Sequence, residues 1–515
     1  MQTLDTTSYW IESASLPRFP KLGRSLDVDV VVVGGGITGI TAAYLLKRAG
    51  RTVALVDRAR CASIDTGHTT AHITAVTDLR LSKLVSTFGA DCAKAVWDAG
   101  AAAIDQIVAN IRGEGIGCDF KWVPGYLHAP PDDEAAKDRD VEFQREAATA
   151  ANLGIRAEYL PAIPFFDVPG VKFPQQAIFH PRKYLSGLLH QIPGRGSHVF
   201  EGTEIEGVDR KPLAVTSGDF KIRCEYLVLA THTPLTGNSG LISSLLFQTK
   251  LSLYTTYALA AKIPAGLIPE ASFWDTGDPY HYLRVDRDRD GDYAIFGGED
   301  HKTGQETNTE AIFSRLEEHF RRIVPDAHID HRWSGQVVET NDGLPFIGET
   351  APHQFAATGY SGNGMTFGTL GGMMALDAVL GKKNPWREIF DVNRKKIRGG
   401  AWDYIKENKD YPYYLLRDWL GRAEGDSLAD VGRNQGKILN FDGRKVAAYR
   451  DSHGQLTLCS PVCTHLKCIV GWNDAEQTWD CPCHGSRFRP TGEVISGPAE
   501  EALTKLPEPT PGEKR

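Results

Sequence analysis

Residues 27–57 read DVDVVVVGGGITGITAAYLLKRAGRTVALVD, and the order of parts within them decides the fold. The apolar, β-branched run 27–33 predicts a buried parallel strand. It leads directly into Gly34-Gly35-Gly36-Ile37-Thr38-Gly39, then into a helical pattern, and a second apolar strand closes on Asp57. Strand, glycine turn, helix, strand and acid make up the dinucleotide-binding fingerprint in its required context. Gly34 is expected to make the tight turn, Gly36 to let backbone approach a pyrophosphate, and Gly39 to let helix and strand pack closely. The helix N-terminus offers amides and a favourable dipole to phosphate, and Asp57 is the expected partner of ribose hydroxyls.

At the other end, Cys463-Thr464-His465 is followed after fifteen residues by Cys481-Pro482-Cys483-His484. Two Cys-His pairs at this spacing suit a Rieske [2Fe–2S] cluster, with thiolates on one iron and imidazoles on the other. Cysteine and histidine also suit tetrahedral zinc, although zinc motifs rarely carry the extra cysteines or the HGS that follows. The segments CTHLKC and CPCHGS resemble the two cluster-binding loops of Rieske proteins of the cytochrome bc type. That resemblance implies ligation by Cys463, His465, Cys481 and His484, and a disulfide between Cys468 and Cys483. Ser486 matches a serine that hydrogen-bonds cluster sulfur in the family, and Pro498 matches the proline loop that covers the cluster. Phe488 stands where the family has a tyrosine. Hydrogen bonds to sulfur favour the reduced state, so one missing hydroxyl implies a potential below the top of the roughly −150 to +300 mV Rieske range.

Which dinucleotide binds is indicated by the middle of the chain. Residues 65–77 (DTGHTTAHITAVT) read as a polar, threonine-rich loop entering a helix, and residues 226–231 (YLVLAT) as another buried strand. Asp342-Gly343-Leu344-Pro345 precedes residues 355–381, read as a strand, a glycine turn at 359–364 and a long apolar helix. Together these segments resemble the D-amino acid oxidase/glycine oxidase superfamily of FAD enzymes, across roughly residues 9–395. The resemblance implies an α/β FAD-binding Rossmann-type domain with an interleaved α+β substrate domain, plus the C-terminal all-β Rieske domain. It places Thr69, Thr70 and Ala71 along the pyrophosphate and flavin ring, and Gly359, Gly362, Asn363, Gly364 and Met365 on the loop covering the flavin. Ala71 falls where covalently linked relatives have histidine, so FAD is expected to be non-covalent. Val337 falls where amino-acid-oxidising members carry a carboxylate-clamping arginine, a role that suits guanidinium geometry. Arg284, with Tyr280, His281 and Tyr282 nearby, is the candidate replacement; the alternative makes Arg284 a surface residue of a charged hairpin.

The chain of 515 residues is 41% hydrophobic, enough for two or three domains. Its net charge of −8 is spread without a long run of one sign, which argues against nucleic-acid binding. No apolar stretch approaches the ~18 residues of a membrane span, and the start shows no signal-peptide pattern. Five of nine cysteines lie between 459 and 483, unlike a secreted disulfide framework. A cytoplasmic protein is therefore expected. The expected organisation is a helical arm at 1–26, an FAD-binding body at 27–395 with substrate-domain segments at roughly 120–180 and 245–335, an aromatic linker at 396–421, the Rieske domain at 422–508 and a tail at 509–515. The linker aromatics predict interdomain packing, with a peripheral membrane or partner contact as the alternative. The expected function is dehydrogenation of a small amine or amino-acid-like substrate, with the cluster exchanging electrons with an external one-electron carrier. A dehydrogenase is favoured over an oxidase, because an oxidase using O₂ needs no cluster. The competing reading is an electron-transfer or redox-sensing protein that turns over no small molecule.

Overall fold

Four consecutive valines form the fully buried strand Val30–Val33, the centre of a six-stranded sheet. It pairs in parallel with Val53–Val56 and with Tyr226–Leu229, and His198–Phe200 and Gln354–Thr358 extend the sheet on either side. Phe346–Ala351 closes it as an antiparallel edge. Helices Ile37–Arg48 and Gly364–Val379 pack on this sheet. The computed structural model describes residues 7–132, 139–233, 251–288, 291–306, 308–394 and 423–507.

A second sheet has nine strands. Its order begins His328–Thr340, Leu251–Ile263, Gly291–Lys302, His281–Asp288 and Ser272–Asp275, and continues into Lys121–His128 and Gly170–Ile178. The strand 328–340 is therefore an edge, and the 251–263 strand beside it pairs Thr256 with Gly335 and Thr255 with Gln336. Alternation along a strand sends successive side chains to opposite faces, which decides where the two redox sites lie. From residue 435 onward, a three-stranded and a four-stranded antiparallel sheet make the all-β C-terminal domain, with its own apolar cores.

Two local expectations are corrected. Residues 65–77 do not enter a helix: they form a 3₁₀ turn at Asp65–Gly67 and a short strand at His72–Ile73, and the next helix is Leu81–Phe88. Threonine hydroxyls explain this, because Thr69 Oγ1 accepts from Ala71 N (2.9 Å) and Thr74 Oγ1 from Val76 N (3.0 Å). Such bonds to amides two residues on compete with helix formation. The N-terminal arm is helical only over Tyr9–Ser13 within its described part, and Pro17 and Pro20 follow, where a helix would lose its bonds. The linker 396–421 and the tail 509–515 lie outside the described residues. No helix among the described residues is long and apolar enough to cross a membrane.

Candidate flavin cavity and iron–sulfur site

A cavity of about 830 Å³ runs from the Gly34–Thr38 turn past Asp57 to the Gly359–Met365 turn and the nine-stranded sheet. Gly34 has φ +105°, and a Cβ there would overlap Ala230 O, while a Cβ on Gly39 would overlap Gly34 O. Only glycine permits that turn and that helix–strand approach. Gly36 precedes the 37–48 helix and has no side chain to cap it; Ile37 N donates to Thr66 Oγ1 (3.2 Å), and the helix N-terminus borders the cavity, where its dipole favours an anion. Asp57 accepts from Gly35 N (2.6 Å) and Ala59 N (2.7 Å). Burial pushes its carboxyl up, and the two amides oppose that shift. This floor fits the adenosine and pyrophosphate of FAD.

The flavin end is built from two loops tied together. Gly362 N donates to Asp78 (2.6 Å), Asn363 Nδ2 to Val76 O (2.8 Å) and Thr366 Oγ1 to Thr74 O (2.8 Å). Thr69 and Thr70 border the cavity beside them, whereas the Ala71 methyl is buried and has no group for a covalent link. Trp10 Nε1 holds Thr69 O at 2.6 Å, so the N-terminal arm fixes the same loop.

Arg284 does not clamp substrate. It is 1% exposed and does not border the cavity. Its guanidinium donates to Ala71 O (2.7 Å), Thr70 O (3.2 Å) and Phe179 O (3.2 Å), and pairs with Asp286 (2.7 Å). It is neither a surface residue nor a free cation: it holds the 70–71 loop from behind. His281 also lies off the cavity, between Asp275 and Glu299. Burial alone would lower it, but the two carboxylates outweigh burial and raise it to about 9. Tyr282 does border the cavity, bonding Thr256 Oγ1 at 2.8 Å.

Sequence reasoning missed several cavity groups. Asp78, Asp275 and Trp274 border it beside Tyr280 of the PYHYLR segment, and Asp300 stands behind Thr256 and Tyr280. Burial raises Asp300 to about 6, against hydrogen bonds from Thr256 and Tyr280 that lower it. Burial first, and then the field of Asp300, keeps the Tyr280 and Tyr282 hydroxyls protonated far above the usual range. Among the described residues, no lysine or arginine from the sheet borders the cavity. The arginines that do so are held elsewhere: Arg58 by Ile495 O, Arg60 by Glu201 and Pro17 O, and Arg80 by Glu142.

In the C-terminal domain, Cys463 and Cys481 share a hydrogen bond that holds Cys463 below the ordinary thiol range. His465 and His484 lie with ring centroids 5.1 Å apart at 90°. Burial lowers them to about 4 and about 3, so both are neutral imidazoles able to bind metal. Cys468 and Cys483 form a disulfide whose sulfurs lie within 4.8 Å of Cys481 Sγ; being oxidised, they are not ligands. Two adjacent thiols and two paired imidazoles fit a [2Fe–2S] group. Ser486 hydrogen-bonds Cys463 and also accepts from Ala499 N (3.1 Å), joining the proline loop to the site. Phe488 is fully buried in the same core. Phe488→Tyr is expected to raise the cluster's midpoint potential in a redox titration; an unchanged or lower value would count against the missing-hydroxyl argument.

The cluster-binding loops rest on the far face of the sheet that walls the cavity. Thr256, Ala258, Gly335 and Val337 border the cavity. On the opposite face, Ser334 bonds Glu476, and Gln336 Nε2 donates to Gly485 O at 2.9 Å. Gln305 Nε2 donates to Pro482 O (3.3 Å) and Thr233 Oγ1 to Gly497 O (2.9 Å). Residues 495–501 border the cavity themselves. The edge of this sheet thus lies between the cavity and the His484–Gly485 loop, while the proline loop reaches the cavity itself.

Comparison with known proteins agrees with both halves. Residues 29–378 match the family model for FAD dependent oxidoreductases, and residues 425–507 match the Rieske [2Fe-2S] domain. The chain is 32% identical over 506 residues, 97% of each chain, to YhfW of Bacillus subtilis (strain 168), a protein named for a Rieske 2Fe-2S centre. It is 23% identical to the gamma-glutamylputrescine oxidoreductase of Escherichia coli (strain K12), covering 81% of this chain and 100% of that one. The glycine oxidase structure from Geobacillus kaustophilus superposes with a TM-score of 0.59 at 17% identity, over 72% of this chain and 99% of that one. The chain belongs to the FAD dependent oxidoreductase family and carries a Rieske [2Fe-2S] domain at its C-terminal end.

Proposed function

We propose that the protein is a dehydrogenase of a small cationic amine that delivers substrate electrons through its Rieske cluster to an external one-electron carrier. The observation that carries this reading is the adjacency of the two sites: the 484–485 loop packs on the far face of the sheet that walls the flavin cavity, and the 495–501 loop borders the cavity itself. When bound, FAD supplies two-electron chemistry at a C–N bond and the [2Fe–2S] cluster supplies one-electron chemistry. Oxidation of CH–NH to C=N releases two electrons and two protons, and two one-electron acceptors are needed to remove the electrons.

The chain's own residues support an amine over an amino acid. A substrate carboxylate would need a cation, and the sheet side of the cavity presents Val337 where relatives clamp with arginine. The lining offers instead Asp275, Trp274, Tyr280 and Tyr282 on that side and Asp78 from the loop before the Leu81–Phe88 helix, and aromatic rings and carboxylates both attract an ammonium group. The lining of Trp274, Tyr280 and Tyr282 from the sheet side, in the same cavity as the 359–365 turn, supports a substrate chamber over a role limited to electron carriage.

Asp300 gives this reading a pH signature. Its carboxyl is neutral below about pH 6 and charged above, so the apparent KM for an amine should fall as pH rises through that value. Asp300→Asn should abolish that limb and weaken binding roughly tenfold above it, about 1.4 kcal/mol, less than the ~4 kcal/mol of a contact pair at an effective dielectric of ~20 because Asp300 stands behind the lining. Flavin bleaching by a panel of amines and the matching α-amino acids is the measurement. Faster bleaching by the amino acids would refute the cationic-amine assignment.

A further inference from the structure

Gln336 sits on the edge strand 328–340, only 3% exposed; it borders the flavin cavity, and its side-chain amide bonds into the cluster domain. Its Nε2 donates to Gly485 O (2.9 Å) and to Thr303 Oγ1 (3.1 Å), while its Oε1 accepts from Ser496 Oγ (3.0 Å). Gly485 O can only accept, which fixes the orientation of the amide. Both donors and the acceptor are therefore used, as burial of an amide demands. Gly485 follows the ligand His484, and Ser496 opens the loop that carries Pro498 over the cluster. One side chain thus ties both cluster-flanking loops to the cavity wall.

We propose that Gln336 is a positioning residue that sets the flavin-to-cluster gap by locking these two loops to the sheet that walls the cavity. This inference rests on the electron-exchange reading above. The packing around it leaves little slack: a Cβ on Gly485 would lie 2.7 Å from Leu253 Cβ and 3.1 Å from Thr303 Cβ. Thr303 is itself anchored to the sheet, through Thr255 Oγ1 (2.9 Å) and through its amide to Leu253 O (3.0 Å). Apolar filling at position 336 would keep the volume but lose the register, because directional bonds specify one docking geometry and dispersion does not. The sequence offers a reason for a glutamine here. It neighbours Val337, which faces the cavity, and strand alternation turns residue 336 the other way.

The test uses the FAD- and iron-loaded protein without oxygen and needs no substrate. Light with EDTA as sacrificial donor reduces the flavin in place, and the appearance of the reduced-cluster EPR signal is timed in the dark. Gln336→Met is expected to keep its iron, its FAD and the cluster's EPR signal, yet transfer electrons roughly tenfold more slowly, as expected from loss of net hydrogen-bond stabilisation of the docked arrangement. Ser496→Ala, which removes one bond, should slow transfer by less. A Gln336→Met rate equal to the parent's overturns the inference. So does loss of the EPR signal in both variants, which would make Gln336 a support for cluster assembly. If the parent itself shows no flavin-to-cluster transfer, the electron-exchange reading fails, and the inference with it.

Discussion

Gly39→Val is expected to give a chain that retains its iron–sulfur centre but binds almost no FAD. Any Cβ at this position falls on the Gly34 carbonyl oxygen, and it lies 3.0 Å from the Gly34 carbon. The helix 37–48 would have to lift from the strand 30–33, opening the packing of Ile37 and Ile40. Overpacking commonly costs about 1–3 kcal/mol, and a backbone collision of this kind belongs at or above the upper end. The lifted helix would also carry its N-terminal amides away from the pyrophosphate position, so cofactor binding suffers twice. Flavin absorbance per chain after purification, with a thermal melt beside it, checks the result. Gly23→Ala is the control, because a Cβ there meets nothing within 4 Å. Full FAD occupancy in Gly39→Val would show that the dinucleotide floor has been placed wrongly.

Cys481→Ser is expected to remove the cluster and leave the flavin half intact. Cys481 lies buried between Cys463 and the 468–483 disulfide, and a serine hydroxyl is a poor substitute for a thiolate on iron. Iron should drop to near zero per chain and the EPR signal should vanish. Turnover with a one-electron acceptor should fall by about a hundredfold or more, since perturbing even the shell around metal ligands costs 10–100-fold. Flavin bleaching by substrate should persist. Undiminished turnover with the same acceptor would mean that electrons leave the flavin without passing through the cluster domain.

Much of this architecture was legible in the sequence because it rests on local chemistry. The 27–57 fingerprint combines positive-φ glycine, buried valines and a terminal acid within one short segment, so neighbouring residues suffice to read it. The cluster motif is equally local, and the Cys468–Cys483 bond followed from resemblance alone. The substrate side was harder to read. Arg284 lies in a strand between Tyr282 and Asp286, and nothing in that stretch reveals that carbonyls at residues 70, 71 and 179 occupy its guanidinium. Asp78 and Asp300 meet only through the tertiary fold. The threonine-rich loop was misread because hydroxyl-to-amide bonds defeated its helical pattern. Gln336 was within reach: once Val337 was placed on the cavity face, alternation alone turned its neighbour toward the other side. What lay on that side required the fold, because the cluster domain begins about ninety residues later in the chain.

A substrate-reduced flavin is expected to pass its electrons to the iron–sulfur centre whose loops adjoin its cavity. The most direct measurement is anaerobic mixing of the FAD- and iron-loaded protein with a cationic amine, following flavin bleaching and the reduced-cluster EPR signal in the same sample. The cluster signal is expected to rise as the flavin bleaches. A flavin that bleaches while the cluster stays oxidised would contradict it.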